Sequence, residues 1–582
     1  MRVNNISSLN FIKHRNNGEN RNMRIEHANE VKDGPFYKKT WVHYILLIVI
    51  GALFFLPALG NVHLFDWDEI NFAEASREMI ETGNYMRVTI NYEPFWEKPP
   101  LFFWFQILSM KVFGVNEFSA RLVNALFGII TMLVVFTIGK KLYDYRFGLL
   151  WALNFPASFL PHVFFKSGII DPVFNLFIFL GITFIASGIL SDKGKKRLLM
   201  FAFAGALTGL AVLAKGPVAF LVISLTMGIY WALQRFRLFF TIDDIVSFIV
   251  TMLFVTFVFY GIETLLHGPW FLQEFIRYQI RLFSTGDAGH GRPFYFHFVV
   301  TLFGCFPASF FAIRSFVSRD EPLTRQKVFN RLVIILFWVV MVLFSIVKTK
   351  TVLYASLTWF PVMYLSALHM YGVLTKRFEW NRILQISLVV FSSVIAATIT
   401  VFPFVLINKE TIMPLIKDKF AVACLTNPVV WTGWESLVGV VFMLILVVSL
   451  VLIGKKKFLP GFITLMAATV FCVQAFLIVF TPGIEQYSQG GPIAFYKEHS
   501  TEDAYVRSLF KSYADLFYGK KRPGLHQKSY DRDWLLRGPI DKPVYFVGRI
   551  NQDREYSKPE YGLTKLKAEY GFVYYRRDPT KK

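Results

Sequence analysis

Residues 435–480 read ESLVGVVFMLILVVSLVLIGKKKFLPGFITLMAATVFCVQAFLIVF. Two apolar runs, 435–453 and 459–480, flank the basic triplet Lys455, Lys456 and Lys457. An α-helix rises about 1.5 Å per residue, so either run is long enough to cross a hydrocarbon layer about 30 Å thick. A segment in lipid can satisfy its backbone N–H and C=O groups internally only as a helix or in a closed barrel, and runs of this length are helical. The stretch predicts a transmembrane hairpin whose basic turn faces the cytoplasm.

The same pattern continues outward through the chain. Further apolar runs fall near 41–60, 119–139, 147–165, 172–190, 198–214, 217–234, 245–265, 295–313, 332–347, 352–371 and 383–406. They predict about thirteen spans. With the basic N-terminal segment inside, every inner loop is basic: Lys140, Lys141 and Arg146; Lys193, Lys195, Lys196 and Arg197; Arg235 and Arg237; Arg314 to Arg331; Lys376, Arg377 and Arg382; and the triplet above. The outer loops are mixed or acidic, so charge supports both the count and the orientation.

Composition agrees. Of 582 residues, 54% are hydrophobic and 18% charged, against about 25% charged in soluble domains. Mean hydropathy is +0.44. The net charge of +22 would favour nucleic-acid binding in a soluble domain. Here the cations sit in short loops, where lipid headgroups and the positive-inside rule account for them. Cys305, Cys424 and Cys472 have neither metal-knuckle nor disulfide spacing.

The expected fold class is an α-helical polytopic membrane protein with a small α/β extracytoplasmic C-terminal domain. Residues 1–40 form a cytoplasmic segment without the pattern of a cleavable signal, and 41–480 the transmembrane domain, with long outer loops 61–118 and 266–294. Residues 481–582 form a domain on the outer face, including the strand-like run Pro543-Val544-Tyr545-Phe546-Val547.

Ionisable residues collect at that outer face. Asp66-Trp67-Asp68-Glu69 follows the first span and opens an amphipathic helical pattern, expected to lie in the membrane interface. An acidic cluster of this kind is often no more than a solvated helix start, since acids favour helix N-termini. Position at the lipid boundary, where unpaired charge is costly, argues for a site. Glu97-Lys98-Pro99-Pro100 lies on the same loop, and Asp171-Pro172 opens the fourth expected span. The second long loop carries Gly289-His290-Gly291-Arg292-Pro293. Lys348, Lys350 and Tyr354 surround an outer turn, as Lys215-Gly216-Pro217 does; such lysines either snorkel or bind an anion.

In that order these motifs resemble the GT-C glycosyltransferases related to protein O-mannosyltransferases and to the lipid A aminoarabinose transferase. The similarity is carried by residues 40–370; beyond them only the architecture matches. The resemblance implies transfer of a sugar from an undecaprenyl- or dolichyl-phosphate donor to a lipid (lipid A-like) or protein acceptor, at the periplasmic face of a bacterial inner membrane. It implies Asp68, Glu69 and Asp171 as catalytic acids and Lys98 at the donor phosphate. Arg292, Lys350 and Tyr354 would assist at that phosphate. It implies a divalent metal, zinc, on Glu97 and His290, and no nucleotide cofactor. Two positions depart from the family pattern: Asn71 stands where Arg is frequent, and Phe95 where an aromatic hydroxyl is frequent. Acting on a hydroxyl acceptor, Asp68 would be a general base and the reaction would invert the anomeric centre; with a phosphate acceptor it would orient. The rival class is a transporter or flippase of a lipid-linked substrate. Transporters place ionisable groups at the bilayer midplane, whereas the middles of these spans are nearly free of charge.

Overall fold

A computed structural model describes residues 39–284, 291–316, 323–523 and 525–579. The chain divides into two compact units, Met1–Ile50 and Gly51–Lys582. The first contributes the opening turns of helix Thr40–Phe55, and the second holds all other elements described here. The expected N-terminal segment 1–40 lies almost entirely outside the described residues.

Among the described residues, nine helices are long and apolar enough to cross a membrane, from Glu117–Leu142 to Phe458–Val479. Two shorter apolar helices, Thr40–Phe55 and Val218–Leu233, occupy the runs at 41–60 and 217–234. The runs at 147–165 and 295–313 are each broken into two helices, Tyr145–Asn154 with Phe159–Phe164 and Phe296–Gly304 with Ala308–Ile313. Pro156 and Pro307 sit at the breaks, where the missing N–H and the ring prevent a continuous helix. Side chains take up the freed backbone groups: Ser158 Oγ donates to Asn154 O at 2.8 Å, and His162 Nδ1 lies 2.8 Å from Pro156 O. Such breaks survive in a membrane where protein shields them from lipid, and Asn154, Ser158 and His162 are buried. The long, short and broken helices together give a multi-pass helical membrane architecture.

The first outer loop is folded. Helix Asp68–Thr82 is followed by a hairpin of β1 (Thr89–Ile90) and β2 (Glu93–Pro94), then by the apolar helix Leu101–Phe113. Asp68 and Glu69 complement the N-terminal dipole of Asp68–Thr82, and Gly83 closes it at φ 68°, its N–H donating to Ile80 O. An interfacial amphipathic helix was expected here, but Glu69 to Met79 is buried throughout. Its polar face finds partners inside the protein. Ser76 Oγ donates to Gln106 at 2.8 Å, and Arg77 donates to Glu74 through two bonds of 2.7 Å and to Lys521 O at 2.8 Å.

The C-terminal region forms the expected small α/β unit. Strands β3 (Tyr505–Ser508), β4 (Val544–Arg549), β5 (Thr564–Glu569) and β6 (Phe572–Arg577) make one sheet in the order β3-β4-β6-β5. Only the β3–β4 pair is parallel. Leu64, Ile70 and Ala73 of the first outer loop share a single apolar core with Ile493, Tyr496, Phe517 and Val547. The sheet domain is thereby built onto the loop that carries the acidic motif.

Candidate active site

The chain reversal after Lys195–Lys215 sets one wall of the site. Lys215 is the last residue of that helix, a favourable end for a cation, and Gly216 turns the chain at φ 107°. A Cβ at Gly216 would lie 2.3 Å from the Phe275 ring, so only glycine lets helix Trp270–Ser284 come this close. Asp171 opens the neighbouring helix Asp171–Ile189 with Pro172 behind it, the position a missing N–H tolerates. Lys215 Nζ donates to Asp171 Oδ1 at 2.6 Å. The same Nζ lies 5.6 Å from the ring centres of both Phe174 and Tyr354.

Asp68, Glu97, Lys98, Asp171, Lys215 and Tyr354 all line one cavity of about 870 Å³. Its floor is apolar, with Phe220, Leu221, Leu343 and Phe344 among its lining residues. Lys98 Nζ stands 3.9 Å from Glu97 Oε2 and 5.3 Å from the Tyr278 ring centre. Asp68 differs from its neighbours: no hydrogen bond or ion pair holds its carboxylate among the described residues. The cavity leaves it part of its surface, yet the walls remove most of the bulk water. Burial pushes its pKa above the usual carboxylate range, helped by Asp171 and Glu97 and opposed by Lys98 and Lys215. Burial likewise pulls the Lys98 ammonium below its ordinary range, against the attraction of Glu97 and Asp68.

The other expected residues that the structure describes, Glu69, Lys350 and Arg292, do not line the cavity. Glu69 turns away from the cavity. Its Oε1 and Oε2 accept from Arg121 at 2.9 Å each, from Gly168 N at 2.6 Å and from Phe65 N at 2.9 Å. Burial works against the ionised form, but Arg121 and these N–H groups outweigh it and hold the carboxyl below the usual range. Arg121 also donates to Leu59 O, Val62 O and His63 O, so the pair ties the first outer loop to the top of Glu117–Leu142. Glu69, expected as a catalytic acid, therefore does not line the cavity but anchors the loop that carries Asp68. Lys350 is buried, donates to Val347 O at 2.7 Å and does not line the cavity. Arg292 is exposed and also stands outside it. His290 lies outside the described residues. Among those described, no three His, Cys, Asp or Glu side chains gather at a possible metal site, and Glu97 faces Lys98. The described residues thus do not make a metal centre by themselves.

Other lining residues come from parts of the chain without a motif. Tyr278, Gln279 and Arg281 reach in from Trp270–Ser284, and Lys511 and Tyr513 from the C-terminal domain. Lys511 Nζ sits 3.9 Å from the Trp67 ring centre, and the Trp67 and Tyr513 rings are 4.7 Å apart. Asp66 accepts from Ser512 Oγ and, at 3.3 Å, from Tyr513 N. The segment 511–513 is thus fastened to the acidic motif as a roof at the cavity mouth.

Known proteins share the fold. The crystal structure of ArnT from Cupriavidus metallidurans bound to undecaprenyl phosphate superposes with TM-score 0.71, covering 93% of this chain and 100% of that one at 16% identity. Its apo state gives 0.69 at the same identity. The chain has the GT-C fold. Residues 97–260 match the family described as dolichyl-phosphate-mannose-protein mannosyltransferase. An undecaprenyl phosphate-alpha-4-amino-4-deoxy-L-arabinose arabinosyl transferase of Pectobacterium atrosepticum is 26% identical over 342 residues, 56% of this chain and 59% of its own length. Its counterpart in Pectobacterium carotovorum is 25% identical over 417 residues, 68% of this chain and 70% of the relative. An uncharacterized protein of Aquifex aeolicus is 29% identical over 260 residues, 44% of this chain. The chain spans just under three fifths of the length of the first and last of these, 59% and 58%. GT-C architecture thus joins the sequence reading of the spans to the cavity beneath the C-terminal roof.

Proposed function

We propose that this chain is a membrane glycosyltransferase that moves one sugar from a polyprenyl-phosphate donor to a lipid A-like or protein acceptor, at the periplasmic face of a bacterial inner membrane. The observation that carries the reading is the unpaired Asp68 carboxylate beside the cations Lys98 and Lys215, above an apolar floor. The likeness to transferases that use undecaprenyl-phosphate donors supports the donor class.

The chemistry follows from charge. A donor hydrocarbon would lie along Phe220, Leu221 and Phe344, with its phosphate at Lys98 and Lys215. As the acceptor oxygen attacks the anomeric carbon, the bond from that carbon to the phosphate oxygen breaks. The departing phosphate monoester gains negative charge, which preorganised cations stabilise more strongly than water does. With a hydroxyl acceptor, the proton passes to Asp68, whose raised pKa suits it to accept one. Asp171 and Glu97 already face lysines, which leaves one carboxylate free and favours a single displacement with inversion. The direct test incubates purified protein with radiolabelled undecaprenyl-phosphate sugars and either a lipid or a protein extract. Label should appear in one acceptor fraction; no transfer from any donor to either would overturn the reading.

A further inference from the structure

A buried polar network outside the cavity joins the first outer loop to the C-terminal domain. Glu74, Arg77 and Glu78 lie on Asp68–Thr82 and are all buried. Arg77 donates to Glu74 through two bonds of 2.7 Å and to Lys521 O at 2.8 Å. Tyr92, at the turn between β1 and β2, donates its hydroxyl to the same Lys521 O at 2.7 Å. One backbone carbonyl of the C-terminal domain is thus held by two elements of the loop.

The charges of this network do not match pair by pair. Glu78 follows Glu74 by four residues, so the two carboxyls are neighbours on one helix face, where like charges repel. The Arg77 guanidinium is committed to Glu74. Lys521 Nζ donates to Asn91 Oδ1 at 2.6 Å and Ser529 O at 3.3 Å rather than to Glu78, and lies 4.3 Å from the Tyr530 ring centre. Glu78 Oε2 accepts from Tyr92 N at 2.9 Å, and Oε1 has no hydrogen-bond partner among the described residues. Tyr92 and Tyr530 are the other titratable groups facing Glu78, while Arg507 and Asp515 act on Lys521. A carboxylate is costly in such a place, and a neutral carboxylic acid much less so.

We propose that Glu78 works as a proton-controlled clamp. With its proton in place, the C-terminal domain closes on the first outer loop. As pH rises the proton leaves to solvent, the neighbouring carboxylates repel, and the contact opens. The roof segment 511–513 belongs to the same domain, so the clamp sets how firmly the cavity is covered. Burial and the Glu74 carboxylate push the Glu78 pKa up to about 8. Between the unfolded value of about 4.3 and about 8, the closed form binds more protons there than the opened chain, so its stability falls as pH rises through that window. Burial pulls Lys521 down to about 8, and its opposite contribution begins only above that pH.

The test is limited trypsin cleavage of the purified full chain after Lys521, whose side chain must leave the network to enter the protease. It is measured from about pH 5 to about pH 8 against cleavage in the exposed loop at Lys376 and Arg377, a ratio that cancels the pH dependence of trypsin. In wild type the ratio should rise about tenfold or more. Glu78→Gln is nearly isosteric and carries no charge, so its ratio should stay low and flat. The variant should melt with wild type near the acid end and above it near the alkaline end. A flat ratio in wild type would overturn the clamp even if the variant misfolds. An equal rise in Glu78→Gln, or a melting temperature lowered at every pH as for a merely structural Glu78, would overturn it as well. None of these readouts involves sugar transfer, so the clamp and the glycosyltransfer reading fail separately.

Discussion

At the residue scale, two neighbours in sequence, Asp68 and Glu69, have opposite fates. A step of one residue turns an α-helix by about 100°, enough to send one carboxylate into the cavity and the other onto Arg121. Composition makes both visible as acids but does not say which is free. The same holds at the outer turn, where Tyr354 reaches the cavity and Lys350 folds back onto Val347 O. Two predictions belong here. Activity that needs Asp68 ionised and Lys98 protonated should give a bell-shaped dependence of kcat/KM on pH. Because burial raises the first pKa and lowers the second, the acid limb should lie above the free-Asp value of about 3.9 and the alkaline limb below the free-Lys value of about 10.4. In Lys98→Arg, whose guanidinium keeps its proton, the alkaline limb should disappear. Glu69→Gln should act on stability, since Arg121 would be left as a buried charge with a weaker partner; a loss of about 3–5 kcal/mol is expected in a thermal or denaturant melt. The lowered pKa of Glu69 gives stability that is present above its unfolded value of about 4.3 and lost as pH falls through its folded value. The variant should therefore show less acid sensitivity than wild type.

At the element scale, the spans were legible because lipid demands long apolar helices and leaves basic residues on one side. The breaks at Pro156 and Pro307 were not assigned, since an apolar run of sufficient length looks the same whether or not one turn is interrupted. The first-loop helix was misplaced for a related reason. Alternating polar and apolar positions suggest a half-exposed helix, but Ser76, Arg77 and Glu74 find partners inside the protein. The tight junction of Gly216 with Phe275 yields a further prediction. Gly216→Ala should displace Trp270–Ser284 or shift Lys215, raising KM for donor by about tenfold; a steady-state donor titration checks this.

Across the whole molecule, the cavity is completed by residues more than 400 positions away from the motif they cover. Trp67 meets Lys511 and Tyr513, Leu64 N donates to Tyr518 at 2.7 Å, and Tyr92 donates to Lys521 O at 2.7 Å. The sequence shows a polar C-terminal region with strand patterning, but no local signal ties segment 511–521 to the first outer loop. Helix Asp68–Thr82 and the C-terminal sheet share apolar core, so neither surface suits water alone. Truncation after residue 480 should lower the melting temperature and abolish transfer. Lys511→Ala should leave melting nearly unchanged, since an exposed cation–π contact is worth about 0.5–1 kcal/mol, while weakening donor or acceptor use.

The central claim is that the unpaired carboxylate of Asp68 drives sugar transfer by taking the proton of the acceptor hydroxyl. It is tested most directly by single-turnover transfer from undecaprenyl-phosphate sugar by wild type and Asp68→Asn, with melting curves recorded for both. The amide is nearly isosteric and makes a far weaker base, so Asp68→Asn should melt normally and transfer at least 100-fold more slowly, in keeping with the ~10²–10⁴-fold contribution of general bases. Transfer at the wild-type rate by a folded Asp68→Asn protein would contradict the account.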